Sequence, residues 1–186
     1  MIPALAPFRS RSFRLQWPAD LCTAWALEME TLVLGWYVLV ETGSVLLLTL
    51  FGSLQFIGTL VSPLLGVLGD RLGLRNVLAA MRGSYTLFSG VILLLALSGH
   101  LTPVSVLVVS ALCGLIRPTD VGMRSALVSA TVPPQDLVAA MGVARTTMDS
   151  AKVGGALAGA GFMASFGMGP AYLVITAIHQ IGRAHV

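Results

Sequence analysis

Six long apolar stretches follow one another along the chain, at about residues 17–40, 43–68, 76–98, 102–123, 138–165 and 168–182. Each except the last approaches or exceeds the ~20 residues that a helix needs to cross a hydrocarbon core of ~30 Å. Only 10% of the 186 residues are charged, against roughly 25% in soluble domains, and the mean hydropathy is +0.88. We therefore expect an all-α integral membrane protein with five complete transmembrane helices and a truncated sixth. This composition excludes an ordinary soluble enzyme, a disordered tail and a fibrous repeat.

The arginines between these stretches predict which ends face the cytoplasm. Arg71 and Arg75 lie between the second and third stretches, and Arg117 and Arg124 approach the connection between the fourth and fifth. Because cytoplasmic loops carry the excess of basic residues, the amino terminus is expected inside. The net charge of +3 is spread too thinly along the chain for a nucleic-acid partner. The connections expected outside contain no lysine or arginine and are residues 41–43, 98–102 and 165–170.

A glycine-rich, charged run at residues 66–75, GVLGDRLGLR, connects the second and third stretches. Glycines let two helices turn tightly and approach closely, and a carboxylate at a helix end can accept hydrogen bonds from free backbone N–H groups. The run resembles the cytoplasmic signature loop of the major facilitator superfamily, although residue 74 is a leucine where that family usually has a basic residue. An ordinary Gly-Asp turn flanked by orienting arginines is the alternative. The matching residues are Gly66, Asp70, Arg71, Gly73 and Arg75.

Three further segments, residues 34–44, 117–124 and 132–137, are similar to the branch of that superfamily that includes bacterial siderophore and macrolide exporters. With them the resemblance extends from about residue 8 to about residue 178. It implies the amino-terminal six-helix half of a transporter in a bacterial cytoplasmic (inner) membrane, a proton-coupled exporter of small amphipathic compounds that works by alternating access. Its partners would be the lipid bilayer, a small-molecule substrate and the missing carboxyl-terminal half. The proton gradient would supply the energy, with no bound cofactor or metal.

Three charged residues at the end of the fourth stretch form a predicted charge-pair network. Asp120 and Arg124 are spaced i, i+4 with the acid first, the better orientation for a helical pair, and Arg117 lies on the same face one turn earlier. The resemblance implies that Asp120 pairs with a basic residue of the signature loop, for which Arg71 or Arg75 would have to serve. Pairing of Asp120 with Arg124 is the alternative.

Three carboxylates lie in the first stretch, where a charge near the membrane centre is costly and usually functional. Asp20 is near the cytoplasmic end and is expected to be structural, while Glu28 and Glu30 are near the midplane. Residues two apart point in directions about 200° apart on a helix, so the two glutamates are not expected to share a site. Both depart from the residues usual in the exporter branch. Glu30 is the first candidate for a proton or cationic-substrate site, and Glu28 is the second.

The fifth stretch carries a charged stripe near its start. Arg145, Asp149 and Lys152 are spaced i, i+4 and i+7, with the acid between two bases. They form either a self-paired ladder or contacts to a substrate. Of the three, Lys152 lies deepest in the stretch and is the better substrate candidate.

A glycine-rich segment follows the charged stripe. Gly154, Gly155 and Gly159 resemble the motif of antiporter-type members of the superfamily, although Gly155 stands where a proline is common. The resemblance implies a tight seam that favours exchange over leakage. A small-xxx-small face, of the kind any close helix pair uses, is the alternative.

Other function classes compete with the exporter. A uniporter or importer of the same superfamily is the nearest, and a non-transporting six-span scaffold or partner subunit is the second. An enzyme is not expected, because the sequence has no His-rich metal pattern, nucleophile elbow or phosphate-binding loop.

The sequence predicts one structural unit between two short ends. Residues 1–15 are expected to be a cytoplasmic tail and residues 16–180 the transmembrane half-domain. The last six residues, IGRAHV, look like the translation of a widely used DNA-sequencing adapter. We therefore expect residues 181–186 to be an artefact and exclude Arg183 and His185 from functional interpretation.

Overall fold

The structure is a computed structural model that describes residues 3–184, without the side chains of residues 3–5, 64, 65, 68, 70, 183 and 184. Within this part of the chain every regular element is a helix, so the all-α class is confirmed. Short 3-10 helices cover Pro3–Arg9, Ile57–Leu60 and Pro134–Asp136. The α-helices are α1 (Arg11–Thr42), α2 (Val45–Leu54), α3 (Ser62–Leu72), α4 (Leu74–Leu97), α5 (Pro103–Thr131), α6 (Leu137–Phe166) and α7 (Met168–Ala184).

Residue types that stop or start helices mark the boundaries. Gly43 ends α1 in the left-handed conformation, with φ of 60°, and its backbone N–H donates to the Leu39 carbonyl. Gly73 separates α3 from α4 with φ of 86°, a value that side chains with a Cβ rarely adopt. At the start of α5, Thr102 and Ser105 form a capping box that satisfies free backbone N–H groups.

The second apolar stretch is not one helix, as the sequence predicted, but two helices joined by a short 3-10 helix. Pro63 lies in the first turn of α3, the one part of a helix where proline's missing N–H is harmless. Next to the break, Gly58 lies against the backbone of Gly114 and Leu115 in α5, where no Cβ would fit. The chain therefore bends around this contact instead of continuing as a straight span.

The expectation of five complete transmembrane helices is wrong. Among the described residues, only α4 and α5 are both long enough and apolar enough to cross a membrane. In α1 the carboxylates of Glu28 and Glu30 interrupt the apolar run, and in α6 the charges of Asp149 and Lys152 lie among glycine and alanine. The second stretch is broken into helices of 10 and 11 residues, and α7 has 17. The sequence estimate counted apolar stretches without weighing these interruptions.

Helix α1 lies at the centre of the bundle. It packs along α6 and α7 and also contacts α2 and α5, while α4 packs against α7 and α5. The main core therefore surrounds the middle of α1. Its fully buried members include Ala26, Met29, Val33 and Val38 of α1, Phe51 of α2, Ile92 of α4, Val106 of α5, and Tyr172 and Ile175 of α7.

The outer faces of α4 and α5 are apolar and exposed. In the most apolar window of each helix, only 39% of α4 and 33% of α5 is buried, whereas the core helix of a soluble protein is mostly buried. The exposed residues recur at helical spacing, so each helix presents one continuous apolar stripe. The stripes contain Leu87, Val91 and Leu94 on α4, and Val104, Val108, Leu112 and Leu115 on α5.

Candidate functional site

A cluster of four charges joins α1, α4 and α5. Arg124 pairs with Asp120 one turn earlier, and its Nε lies 3.8 Å from Oδ1 of Asp20. Arg82 of α4 pairs with the same Asp20 carboxylate and also donates to the Gly182 carbonyl of α7 over 3.1 Å. Asp120 and Arg82 are 0% and 1% exposed. Two acids and two bases thus neutralise one another inside the bundle.

Only two of the three residues in the charge-pair network predicted at the end of α5 pair with each other. Asp120 pairs with Arg124, which was the alternative, whereas Arg117 turns to a different partner. Of the signature-loop residues, Gly66 and Arg71 lie in α3, Gly73 lies at the junction, and Arg75 lies in the first turn of α4. The side chain of Asp70 lies outside the described residues.

Arg117 joins α1 and α5 to the end of α2. Its Nη2 donates to Oε1 of Glu28 over 2.8 Å, and its Nη1 donates to Oγ1 of Thr31 over 3.0 Å and to Oε1 of Gln55. Gln55 is the residue that caps α2, so this half-buried group lies where the second stretch breaks. A cavity of about 20 Å³ is lined by Glu30, Thr31, Gln55 and Arg117 among others. It offers room for about one water molecule.

Glu30 points to α7. It is 6% exposed, and the Tyr172 hydroxyl donates to its Oε1 over 3.1 Å. Its other oxygen, Oε2, lies 3.5 Å from Nε2 of His179, which is 2% exposed. Glu28 and Glu30 therefore belong to different groups, as their spacing predicts. Sequence reasoning missed Tyr172 and His179, since neither belongs to a motif.

The charged stripe of α6 lies at the surface. Nε of Arg145 is 3.0 Å from Oδ2 of Asp149, and Nζ of Lys152 is 3.4 Å from Oδ1 of the same carboxylate. The three side chains are between 50% and 73% exposed. This geometry matches the self-paired ladder, and the structure does not bring Lys152 together with the buried carboxylates.

The glycines of α6 face α1. A Cβ on Gly155 would lie 3.0 Å from the Trp25 carbonyl oxygen, and one on Gly159 would lie 3.0 Å from Cα of Met29. At Gly154 a Cβ would come within 2.8 Å of the Trp25 ring. The two helices therefore pack backbone to backbone at this seam.

The described residues hold no group of three or more His, Cys, Asp or Glu side chains that could bind a metal ion. A groove of about 830 Å³ opens between the starts of α1 and α6 and is lined by Trp17, Leu21, Gly142 and Thr146 among others. It includes neither Glu28 nor Glu30. Glu28 and Glu30 therefore lie apart from this groove, and the contacts described for them are ion pairs and hydrogen bonds.

Among known proteins, no family model matches this chain and no curated protein matches it significantly. The resemblance to the major facilitator superfamily rests on the sequence segments that carry it. It therefore enters the functional argument as a hypothesis.

Proposed function

We propose that the chain is part of a secondary transporter that exports small amphipathic compounds in exchange for protons, in the manner of the major facilitator superfamily. The observation that carries this proposal is Glu30, a carboxylate buried among apolar helices and held by Tyr172 and His179. The proposed partners are the lipid bilayer of a bacterial inner membrane, a small-molecule substrate and the remaining half of the transporter.

Buried ionisable groups are the first support for transport. Burying a charge costs several kcal/mol unless it is paired. This bundle buries Asp120 and Arg82 in ion pairs, and it buries Glu30, which is 6% exposed, against a tyrosine hydroxyl and a histidine. In membrane proteins, ionisable groups inside the bundle pair with one another and often mark ion pathways or proton relays.

The exposed stripes of α4 and α5 support a membrane location. Water would meet contiguous apolar side chains along both helices, which soluble monomers rarely allow over a large area. A bilayer covers such faces without cost. We therefore propose that α4 and α5 cross the membrane.

The broken helix gives a third support. Secondary transporters often place substrate and ion sites where a membrane helix is interrupted. Here the break between α2 and α3 is next to Gln55, which Arg117 links to Glu28. The cavity at this break has room for about one water molecule, so the polar group of a substrate would reach these side chains only after the helices separate.

The decisive test of proton coupling is Glu30→Gln. The amide is nearly the same size but cannot ionise, so we expect substrate-dependent proton movement to fall to the level of membranes without the protein. The measurement is the collapse of a pre-formed pH gradient, followed with a pH-sensitive dye in everted membrane vesicles that contain the full-length protein.

Glu28→Gln is the matched comparison, because it removes the same charge from the same helix. We expect it to weaken coupling less, since Glu28 faces Arg117 and not the Glu30 group. If Glu30→Gln still moves substrate uphill in response to a pH gradient, Glu30 is not the proton carrier.

The proposed orientation predicts which turns a reagent can reach. His100→Cys lies in the exposed turn between α4 and α5, and Ser129→Cys lies in the exposed last turn of α5. With a membrane-impermeant maleimide on intact cells, we expect only the first to be labelled, and the second only after permeabilisation. The parent with its native cysteines gives the background. Labelling in the reverse order would contradict the orientation.

A further inference from the structure

The seam between α4 and α7 contains a buried polar segment, although Ile92 and Ile175 beside it belong to the apolar core. The Ser89 and Thr176 hydroxyls are hydrogen bonded over 2.7 Å, and the Tyr85 and His179 rings lie against each other with centroids 5.9 Å apart. These four side chains are at most 9% exposed. Polar groups are expensive at such depth unless they are paired or used.

Two polar atoms of this seam have no hydrogen-bond partner. They are the Tyr85 hydroxyl and Nε2 of His179, and both are fully buried. Nε2 lies 3.5 Å from Oε2 of Glu30, close enough for an ion pair but without hydrogen-bond geometry. Unsatisfied buried groups are rare in native proteins and often mark catalytic or mobile sites. A small movement of α7 against α1 would turn this contact into a hydrogen bond.

We propose that His179 and Glu30 form one proton-binding site, in which a proton is shared between the imidazole and the carboxylate and is exchanged during transport. The proposal rests on the proposed function for its purpose, since it names the partner that the proton-carrying carboxylate uses. His179 acts here as the residue that positions and accepts the proton.

The proton balance of this site is simple. Before it binds the proton, the proposed site consists of a neutral His179 imidazole and the Glu30 carboxylate. When one proton arrives from water, Nε2 binds it and donates a hydrogen bond to Oε2, while Oε1 keeps the bond from Tyr172. Release returns the proton to water. No bond between heavy atoms forms or breaks, and no oxidant or reductant takes part.

Groups from α1 and α4 lie next to the His179 ring. Helix α1 contributes Glu30, and helix α4 contributes the Tyr85 ring. The Arg82 guanidinium, one turn before Tyr85 on α4, is paired with Asp20. Tyr172 and Cys113 interact with Glu30, and Arg117, Asp120 and Arg124 interact electrostatically with Tyr85.

The test follows the charge state of His179 directly. The full-length protein is labelled with ¹⁵N-histidine, and the His179 signal is assigned by its loss in His179→Gln. We expect Glu30→Gln to lower the pH at which this imidazole becomes charged, because the carboxylate that faces Nε2 is removed. An unchanged titration in Glu30→Gln would overturn the proposal.

Two further variants separate coupling from damage to the fold. Glu41→Gln removes the same charge from the exposed end of α1, 11 residues or roughly 16 Å away along the helix, and should leave the titration unchanged. Tyr172→Phe removes a competing hydrogen bond to Glu30, so His179 should keep its proton to higher pH. If Glu30→Gln and Tyr172→Phe shift the titration in the same direction, a general loosening explains both and the proposal is wrong.

The titration does not depend on transport, so the two proposals can fail separately. A coupled His179 titration in a protein that moves no protons with substrate would remove the transport function and keep the shared site. Proton-coupled transport in a protein whose His179 titration does not respond to Glu30→Gln would keep the transport function and exclude the shared site.

Discussion

Replacing Arg124 by methionine is expected to cost about 3–5 kcal/mol of the free energy of unfolding. The substitution keeps most of the side-chain volume but leaves Asp120, which is 0% exposed, without its ion-pair partner. The second carboxylate oxygen of Asp120 already lacks a hydrogen bond, and the remaining cation of the cluster, Arg82, is paired with Asp20. Because domain stabilities are typically about 5–15 kcal/mol, this loss is large. Unfolding followed by circular dichroism in detergent micelles measures it.

Two comparisons show whether burial is the cause. The double variant Asp120→Leu, Arg124→Met removes both partners, and it should recover most of the lost stability because no unpaired charge remains. Arg145→Met makes the same change in an exposed i, i+4 pair and should change unfolding very little. If Arg124→Met and Arg145→Met cost the same, the buried cluster does not stabilise the bundle.

The hydropathy pattern predicts where the helices lie but not how many could span a membrane. Five of the six apolar stretches each correspond to one α-helix, because long apolar runs that lack turn residues fold as helices, and the second corresponds to α2 and α3. The break between α2 and α3 escaped prediction, since it depends on the contact of Gly58 with the backbone of α5. Pro63 was its only local signal, and a proline near a helix start is compatible with either outcome.

The sequence likewise predicts only some of the functional residues. Glu30 stands out in the sequence because a carboxylate in an apolar run is costly. Its partner Tyr172 is 142 positions away, so no local pattern connects the two. No sequence motif singles out Arg82, yet it is buried against Asp20. The direction in which a side chain faces is set by packing between helices, and a single sequence does not contain it.

The seam between α1 and α6 gives the second large effect, through Gly159→Leu. The new Cβ would lie 3.0 Å from Cα and from the carbonyl oxygen of Met29, so the helices must separate to make room. Overpacking of this kind costs about 1–3 kcal/mol where side chains can adjust, and here the obstacle is backbone. We therefore expect a loss at or above the top of that range, measured by the same unfolding experiment.

Gly161→Leu is the matched control for Gly159→Leu. It lies two residues further along the same helix, where a Cβ would meet nothing within 4 Å. Both variants gain about 0.5–1 kcal/mol of helix propensity over glycine, so this term cancels in their difference. Gly161→Leu should therefore be as stable as the parent or slightly more so.

Met29 directly precedes Glu30, so displacement of α1 by Gly159→Leu should also alter the His179 spectrum. If the two leucine variants unfold alike, α6 does not hold α1 in place, and the position of Glu30 must depend on the other neighbours of α1, which are α2, α5 and α7.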